Sequence, residues 1–117
     1  MLDELKELGV NVEEGVERLG GNAAIYEKML GSFLKMMKSY VVPLDFDGEN
    51  YGDVIETAHA IKGAAGNLSV SPIYDSYAEI VNLLRSGQPQ EARAVLKEIL
   101  PVQEKIADAI ERYTSDK

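Results

Sequence analysis

The stretch "YGDVIETAHAIKGAAGNLSV", residues 51–70, carries the clearest helical pattern in this chain of 117 residues. Its apolar side chains recur at spacings of three and four, as they do on a helix that buries one seam against its neighbours. The seam consists of Val54, Ala58, Ile61, Ala65 and Leu68. The pattern therefore predicts a helix over residues 51–69, with Asn50 as its N-cap and the seam in the core.

The same periodicity predicts helices on both sides of that stretch. The long helices cover residues 23–41, 72–86 and 89–113, and one or two short helices lie within residues 2–19. Suitable N-caps are Asn11, Asn22 and Ser71, and helix ends are marked by Gly20, Gly21 and Gly87. The connections near Val70 and Gln88 are too short for anything except antiparallel neighbours. We therefore expect an all-α fold in one domain, residues 1–117: an antiparallel up-down four-helix bundle with the short N-terminal helices packed across one end.

Composition narrows the classes of function. The formal charge is -8, so the field of the whole molecule disfavours binding to nucleic acid or to an anionic membrane surface. With no cysteine and one histidine, the chain lacks thiolate and multi-histidine metal sites, which leaves only an all-carboxylate site open. No apolar run approaches the roughly 18 residues of a membrane span, and the opening "MLDELKELG" is acidic and amphipathic, unlike a signal peptide. We expect a monomeric cytoplasmic protein with no cofactor or metal of its own.

The one histidine, His59, lies on the opposite side of its predicted helix from the buried seam. At about 100° per residue, it is about 140° from the mean direction of the seam residues. Gly63 and Gly66 follow four and seven positions later on the same strip of the helix surface. Because a glycine inside a helix costs about 1 kcal/mol relative to alanine, we interpret both as clearing the approach to the imidazole. The alternative is close packing of that strip against another helix.

Lys62 follows His59 by three residues and lies on the same side of the helix. Its ammonium can stabilise an anion placed on the imidazole, although a single lysine on a polar face is often merely solvated. A neutral imidazole is nucleophilic near pH 7. The sequence contains no G-x-S-x-G element, no Walker loop and no kinase signature. We therefore expect His59 to accept a group from a partner's active site and to give it back.

Candidate contacts with a partner surround the histidine. Ile55, one turn before His59, is the best candidate for an exposed apolar contact. Glu56 and Asn67 flank the strip and Gly66 continues it, which makes these three further docking candidates.

The predicted helix over residues 23–41 carries two adjacent apolar stripes, an arc wider than one packing seam requires. The first stripe is Ile25, Met29, Phe33, Met36 and Tyr40, and the second is Tyr26, Leu30, Leu34, Met37 and Val41. The surplus stripe is either an exposed patch for a partner's helix or is covered by the N-terminal helices. Both interpretations stay open at this point.

Two segments resemble the histidine-containing phosphotransfer domains of phosphorelays, and the resemblance spans nearly the whole chain. They are "AHAIKGAAGNL", residues 58–68, and "RLGGNAAIYEKMLGSFL", residues 18–34. The resemblance implies an antiparallel four-helix bundle that shuttles a phosphoryl group between aspartates of response-regulator receiver domains. By the same resemblance His59 is the phosphorylated residue, Lys62 the cation beside the phosphoryl oxygens, and Gly63 the gap that admits the receiver.

The resemblance also implies a division of labour with the partner. The partners are receiver domains, including that of a hybrid histidine kinase, and the receiver brings the Mg²⁺ and the catalytic groups. No intrinsic kinase activity is then expected of this chain. Its departures from the family pattern are Ala64 where serine is common, Ser69 where glycine is common, and the broken segment "YVVPLDFDGEN", residues 40–50. All of them leave His59, Lys62 and Gly63 unchanged.

Two other classes of function stay open. A plain helical-bundle adaptor would bind receiver or helical partners without accepting phosphate. An enzyme with its own substrate is disfavoured, because the sequence shows no second titratable group coupled to His59.

Overall fold

The chain is all-helical in the computed structural model, which describes residues 2–40, 42 and 51–115. These residues form six helices and no strand. In chain order the helices are α1 (Leu2–Glu7), α2 (Val12–Arg18), α3 (Ala23–Ser39), α4 (Gly52–Asn67), α5 (Ser71–Arg85) and α6 (Pro89–Ser115). None of the helices in the described ranges is both long enough and apolar enough to cross a membrane.

The first two N-caps are confirmed. The side-chain oxygen of Asn11 accepts a hydrogen bond from the backbone N–H of Glu14 at 3.3 Å, at the start of α2. The side-chain oxygen of Asn22 accepts one from the N–H of Ile25 at 3.1 Å, at the start of α3. Each bond satisfies an N–H that the first turn of a helix leaves unpaired, so the local sequence alone determines where α2 and α3 begin.

The starts of α4 and α5 differ from expectation. Asn50 lies outside the described residues, and Tyr51 occupies the position before α4 without a side-chain capping bond. Ser71 is the first helical residue of α5 and not its cap, since Val70 precedes the helix. Pro72 is then the second helical residue. Its missing N–H costs nothing there, because the first turn of a helix offers no carbonyl partner for an N–H.

The core is built from the predicted seams together with residues that the seams missed. The seam of α4 is buried throughout, and α5 buries Ile73, Tyr77, Ile80, Val81 and Leu84. The residues of α6 that are buried are Ala92, Leu96, Ile99, Ile106, Ala109 and Ile110. The spacing of three and four within residues 89–113 predicts a seam that omits Leu96 and Ile110 and consists of Ala92, Val95, Ile99, Val102, Ile106, Ala109 and Tyr113. A seam spaced by three and four follows a single neighbour, whereas α6 packs against α1, α3 and α5.

Each of the four long helices packs against at least one other. The helix α4 contacts α5, and α5 contacts α6, in each case across a connection of three residues. The second connection contains Gly87, whose φ of +74° is a conformation that suits glycine. The helix α3 contacts both α4 and α6. Of the short helices, α1 contacts α2 and α6, and α2 contacts α3. The outer face of α4, which carries His59, is therefore flanked by α3 on one side and α5 on the other.

Candidate functional site

The helix α4 presents His59 to solvent. Its sequence neighbour Ala58 is fully buried, and so is Ile61, whereas His59 is exposed. This difference follows from the rotation of about 100° per residue, which places the imidazole on the far side of the helix from the seam. A docked molecule can therefore reach the ring.

Gly63 leaves open space one turn after the histidine. A Cβ added at this glycine would meet no atom within 4 Å. Since residues four apart on a helix are surface neighbours, this space adjoins the imidazole of His59. The atoms of a partner can approach the ring from this side without meeting a side chain.

The space beside Gly66 is occupied by another side chain, unlike the space beside Gly63. A Cβ there would lie 3.0 Å from Cδ2 and 3.1 Å from Cε2 of Tyr74, a residue of α5. The space at Gly63 is thus open, while the space at Gly66 is filled by the ring of Tyr74. That Gly63 admits a partner stays a prediction. The short connection between α4 and α5 brings the two helices close at this end, so the missing side chain of Gly66 gives room to the ring of Tyr74.

Tyr74 lines the recess beside Gly63 and Gly66, and sequence reasoning missed it. It is 39% exposed, so its ring forms part of the surface on the strip of the histidine. No spacing rule within one helix connects it to Gly66, because the contact crosses from α4 to α5. The only signal in the sequence was a large aromatic residue early in a helix that follows a short turn.

The other candidate site residues differ in how much of each side chain is exposed to solvent. Glu56 and Asn67 are exposed, and Lys62 is half-buried. Ile55 is also half-buried and packs against the core, so it is not the exposed apolar contact that we expected. Ile55 is rotated by about 100° around the helix axis from the mean direction of the seam residues. It therefore lies at the edge of the arc of α4 that the neighbouring helices cover.

An apolar groove runs beside this site between α3 and α4. Its volume is about 510 Å³. The residues that line it are Arg18, Leu19, Met29, Ser32, Phe33, Met36, Ala64, Asn67 and Leu68. Ile25 is 46% exposed and Met29 43% exposed, so the N-terminal helices do not cover the first stripe of α3 there. The second stripe is buried at Tyr26, Leu30, Leu34 and Met37, while Val41 lies outside the described residues.

A second, polar recess of about 350 Å³ adjoins Gly63. Its walls are Glu14, Arg18, Gly63, Gly66, Asn67, Ser69, Ser71 and Tyr74. Arg18 and Asn67 line both the groove and the recess, so they lie where the two meet. The recess brings the C-terminal half of the outer face of α4 together with side chains from α2 and α5.

Ser69 ends α4 in a left-handed conformation, with φ at +55°. The N–H of Ser69 donates to the carbonyl of Gly66 at 3.2 Å, and the N–H of Val70 donates to the carbonyl of Ala65 at 2.9 Å. These are the bonds of a Schellman motif, in which glycine is the usual residue at this position. The serine contributes a hydroxyl that glycine lacks, and this hydroxyl donates to Oε1 of Glu14 at 2.8 Å.

The junction of α2 with α3 and α4 lies behind the recess. The hydroxyl of Tyr26 donates to the carbonyl of Leu68 at 2.7 Å, and the tyrosine is fully buried. A Cβ on Gly15 would overlap Cε1 of Tyr26 and lie 2.7 Å from the carbonyl oxygen of Leu68. Burial raises the pKa of Tyr26 to about 12. Gly15 therefore lets α2 contact the ring and the end of α4 directly.

A comparison with known protein families identifies the family of the chain. The family model of the Hpt domain, the histidine-containing phosphotransfer domain, matches residues 11–115. The chain belongs to the Hpt domain family. Hpt domains serve histidine phosphotransfer in phosphorelays, carry phosphoryl groups without being catalysts, and interact with the receiver domains of response regulators. No curated protein and no solved structure matches the chain significantly.

Proposed function

We propose that this protein is a phosphorelay intermediate that accepts a phosphoryl group on His59 from a receiver-domain aspartate and passes it to another receiver. The observation that carries the proposal is the exposed imidazole of His59 with open space at Gly63 on the next turn. A group on a large donor protein can be transferred only to an acceptor that the donor can touch. This site meets that requirement.

The transfer uses one lone pair of the imidazole. A ring nitrogen of His59 attacks the phosphorus of the aspartyl phosphate, a P–N bond forms, and the P–O bond to the aspartate breaks. The aspartate carboxylate leaves with the electron pair. Transfer to the next receiver is the reverse step with a new carboxylate, so neither direction requires a further reactant.

Lys62 stabilises the phosphoryl group in this proposal. It follows His59 by three residues, so its ammonium reaches the same side of the helix. An ammonium attracts the negative charge on the phosphoryl oxygens both on arrival and on departure. Mg²⁺ and the groups that act on the leaving carboxylate belong to the receiver, so the chain itself is not an enzyme.

The receiver docks over the outer face of α4. The apolar groove between α3 and α4 supplies an uncovered surface for a helix of the receiver. Glu56, Gly66 and Asn67 border the docked receiver, and Ile55 supports the site from below. The up-down order of the four long helices, a single domain over residues 1–117, a monomeric cytoplasmic state and a hybrid histidine kinase as donor complete the proposal.

Phosphotransfer assays test the proposal directly. Receiver domains from the source organism are phosphorylated with acetyl phosphate and Mg²⁺, freed of the donor and mixed with this protein. We expect acid-labile, alkali-stable label on the wild-type chain and none on His59→Gln. The variant should keep its helical circular dichroism, because the side chain is exposed.

Two outcomes contradict the proposal. Binding of receivers without any label would favour the adaptor. Label that persists at an undiminished level in His59→Gln would place the acceptor elsewhere in the chain.

A further inference from the structure

Arg18 lies where the apolar groove and the polar recess meet. It belongs to the last turn of α2, and its side chain is 54% exposed. Among the residues that line the two cavities it is the only lysine or arginine. Gly63 lines the same recess and lies four residues after His59, about 6 Å along the helix axis. A cation on a different helix therefore lines the recess that adjoins Gly63.

The guanidinium of Arg18 is held in place by a carboxylate. Its Nε and Nη2 donate to Oε1 of Glu14 at 3.3 and 3.2 Å. The same oxygen accepts from the hydroxyl of Ser69, and Oε2 accepts from Nδ2 of Asn11 at 3.2 Å. The bonds from Ser69 and Arg18 lower the pKa of Glu14, so it stays ionised. The guanidinium is thus oriented before any partner arrives.

The chemistry that this arrangement recognises is a carboxylate. Both oxygens of Glu14 already accept hydrogen bonds, so a basic group entering the recess finds little to bind. The Nη1 amine of Arg18 makes no hydrogen bond to any described residue, and a guanidinium pairs with a carboxylate through two parallel N–H donors. The net charge of -8 repels an acidic partner at long range, but salt screens this repulsion beyond about 8 Å. The short-range attraction between Arg18 and a carboxylate therefore determines whether the two bind.

We propose that Arg18 is a positioning residue that binds an aspartate or glutamate side chain on the surface of the docked receiver. The proposal rests on the proposed function, since it concerns the same partner. The salt bridge strengthens the docking of the receiver against the groove without contacting the phosphoryl group. Glu14, held by Ser69, keeps the guanidinium in the orientation that this contact requires.

The test separates binding from transfer. The receiver domain that binds the wild-type protein most tightly is the probe, and its dissociation constant is measured without phosphate in the His59→Gln background. Arg18→Gln should raise this constant on the order of fivefold, and Arg18→Lys should restore part of the loss. Raising the salt concentration should weaken wild-type binding more than binding by Arg18→Gln.

The control is Arg85→Gln, which removes the same charge from the exposed last turn of α5. It should bind the receiver as the parent does. In transfer assays, Arg18→Gln should raise the half-saturating receiver concentration by the same factor and leave the rate at saturation unchanged, because the phosphoryl group itself does not contact Arg18.

The outcomes are distinguishable from those of the proposed function. Loss of affinity in Arg18→Gln without any label on the wild-type chain would support the arginine contact and reject the relay function. Unchanged affinity, an equal loss in Arg85→Gln, a lower saturating rate with unchanged half-saturation, or no receiver binding at all would overturn the role of Arg18.

Discussion

The outer face of α4 and the junction of α2 with α3 and α4 are both built around a helical glycine, and they use the missing side chain in opposite ways. At Gly63 the space stays open, with no atom within 4 Å of the point that a Cβ would occupy. At Gly15 the ring of Tyr26 and the carbonyl of Leu68 occupy the space. In the first region the isolated chain gains no packing from its glycine. In the second, direct contact between helices offsets the cost of about 1 kcal/mol relative to alanine.

Under the proposed function, this difference separates a surface kept clear for a receiver from a position required by the fold. The proposed phosphorylation of His59 gives Gly63 a reason that lies outside the packing of its own chain. Gly66 lies between the two extremes, because its space is filled by Tyr74, a side chain at the surface. Substitutions at the three glycines should therefore affect transfer and stability to different degrees.

The largest expected effect is loss of transfer in Gly63→Gln. The longer side chain occupies the space beside His59, and we expect the rate of phosphoryl transfer from a receiver to fall on the order of 100-fold, which is about 2.7 kcal/mol of barrier. The free energy of unfolding should rise by up to about 1 kcal/mol, because glutamine is a better helix former. Single-turnover transfer and urea denaturation measure the two quantities. An unchanged transfer rate would refute the steric role of Gly63.

The next effect is loss of stability in Gly15→Ala. The added methyl group meets a buried ring and a backbone oxygen that cannot move aside, so we expect the free energy of unfolding to fall by about 2 kcal/mol. Gly52→Ala is the matched control, because a Cβ there meets no atom within 4 Å. Urea denaturation compares both with the wild type. Equal stability of the two variants would show that the junction is not closely packed.

Alkaline pH should destabilise the fold through two buried tyrosines, Tyr26 at the junction of α2 with α3 and α4, and Tyr77 in α5. Burial raises the pKa of both Tyr26 and Tyr77 to about 12, whereas an unfolded tyrosine titrates near 10. Between these values the unfolded chain has lost protons that the native chain keeps, so stability falls as the pH rises. The loss is up to about 1.4 kcal/mol per pH unit for each tyrosine. Denaturation at several pH values from about 8 to 11.5 measures it, and Tyr77→Phe should halve the slope. A flat profile above about pH 10 would contradict the burial of these hydroxyls.

The smallest effect is expected in Gly66→Ala. The new methyl group would lie 3.0 Å from the ring of Tyr74, but that ring is partly exposed and can move outward. The gain in helix propensity offsets the contact, so the net change in stability should stay below about 0.5 kcal/mol. In a Tyr74→Ala background the same substitution should stabilise by about 1 kcal/mol. If the two backgrounds respond alike, the contact between Gly66 and Tyr74 is absent in solution.

Much of the fold could be predicted from the local sequence pattern. The seam of α4, the caps at Asn11 and Asn22, and the outward position of His59 all depend on the helical repeat or on residues within one turn. Such features need no knowledge of distant neighbours, and the structure confirms them. The error at Ser71 was a shift of one residue, which is within the range over which helix starts vary.

The features that local pattern missed depend on contacts between helices. Tyr74 fills the space at Gly66 from another helix, and Arg18 reaches the recess from a third. The half-buried state of Ile55 likewise depends on how far the neighbours of α4 extend around it. No spacing within one helix encodes these distances.

The amino-acid sequence by itself therefore determined which side of α4 faces solvent, because the rotation per residue is a property of the helix alone. It also determined the family, because the histidine motif and the first long helix are contiguous stretches. Only the tertiary structure decided which glycine is open and which is filled, and that Arg18 lines the recess beside Gly63. These features depend on the positions of other helices, and those positions result from the packing of the entire core.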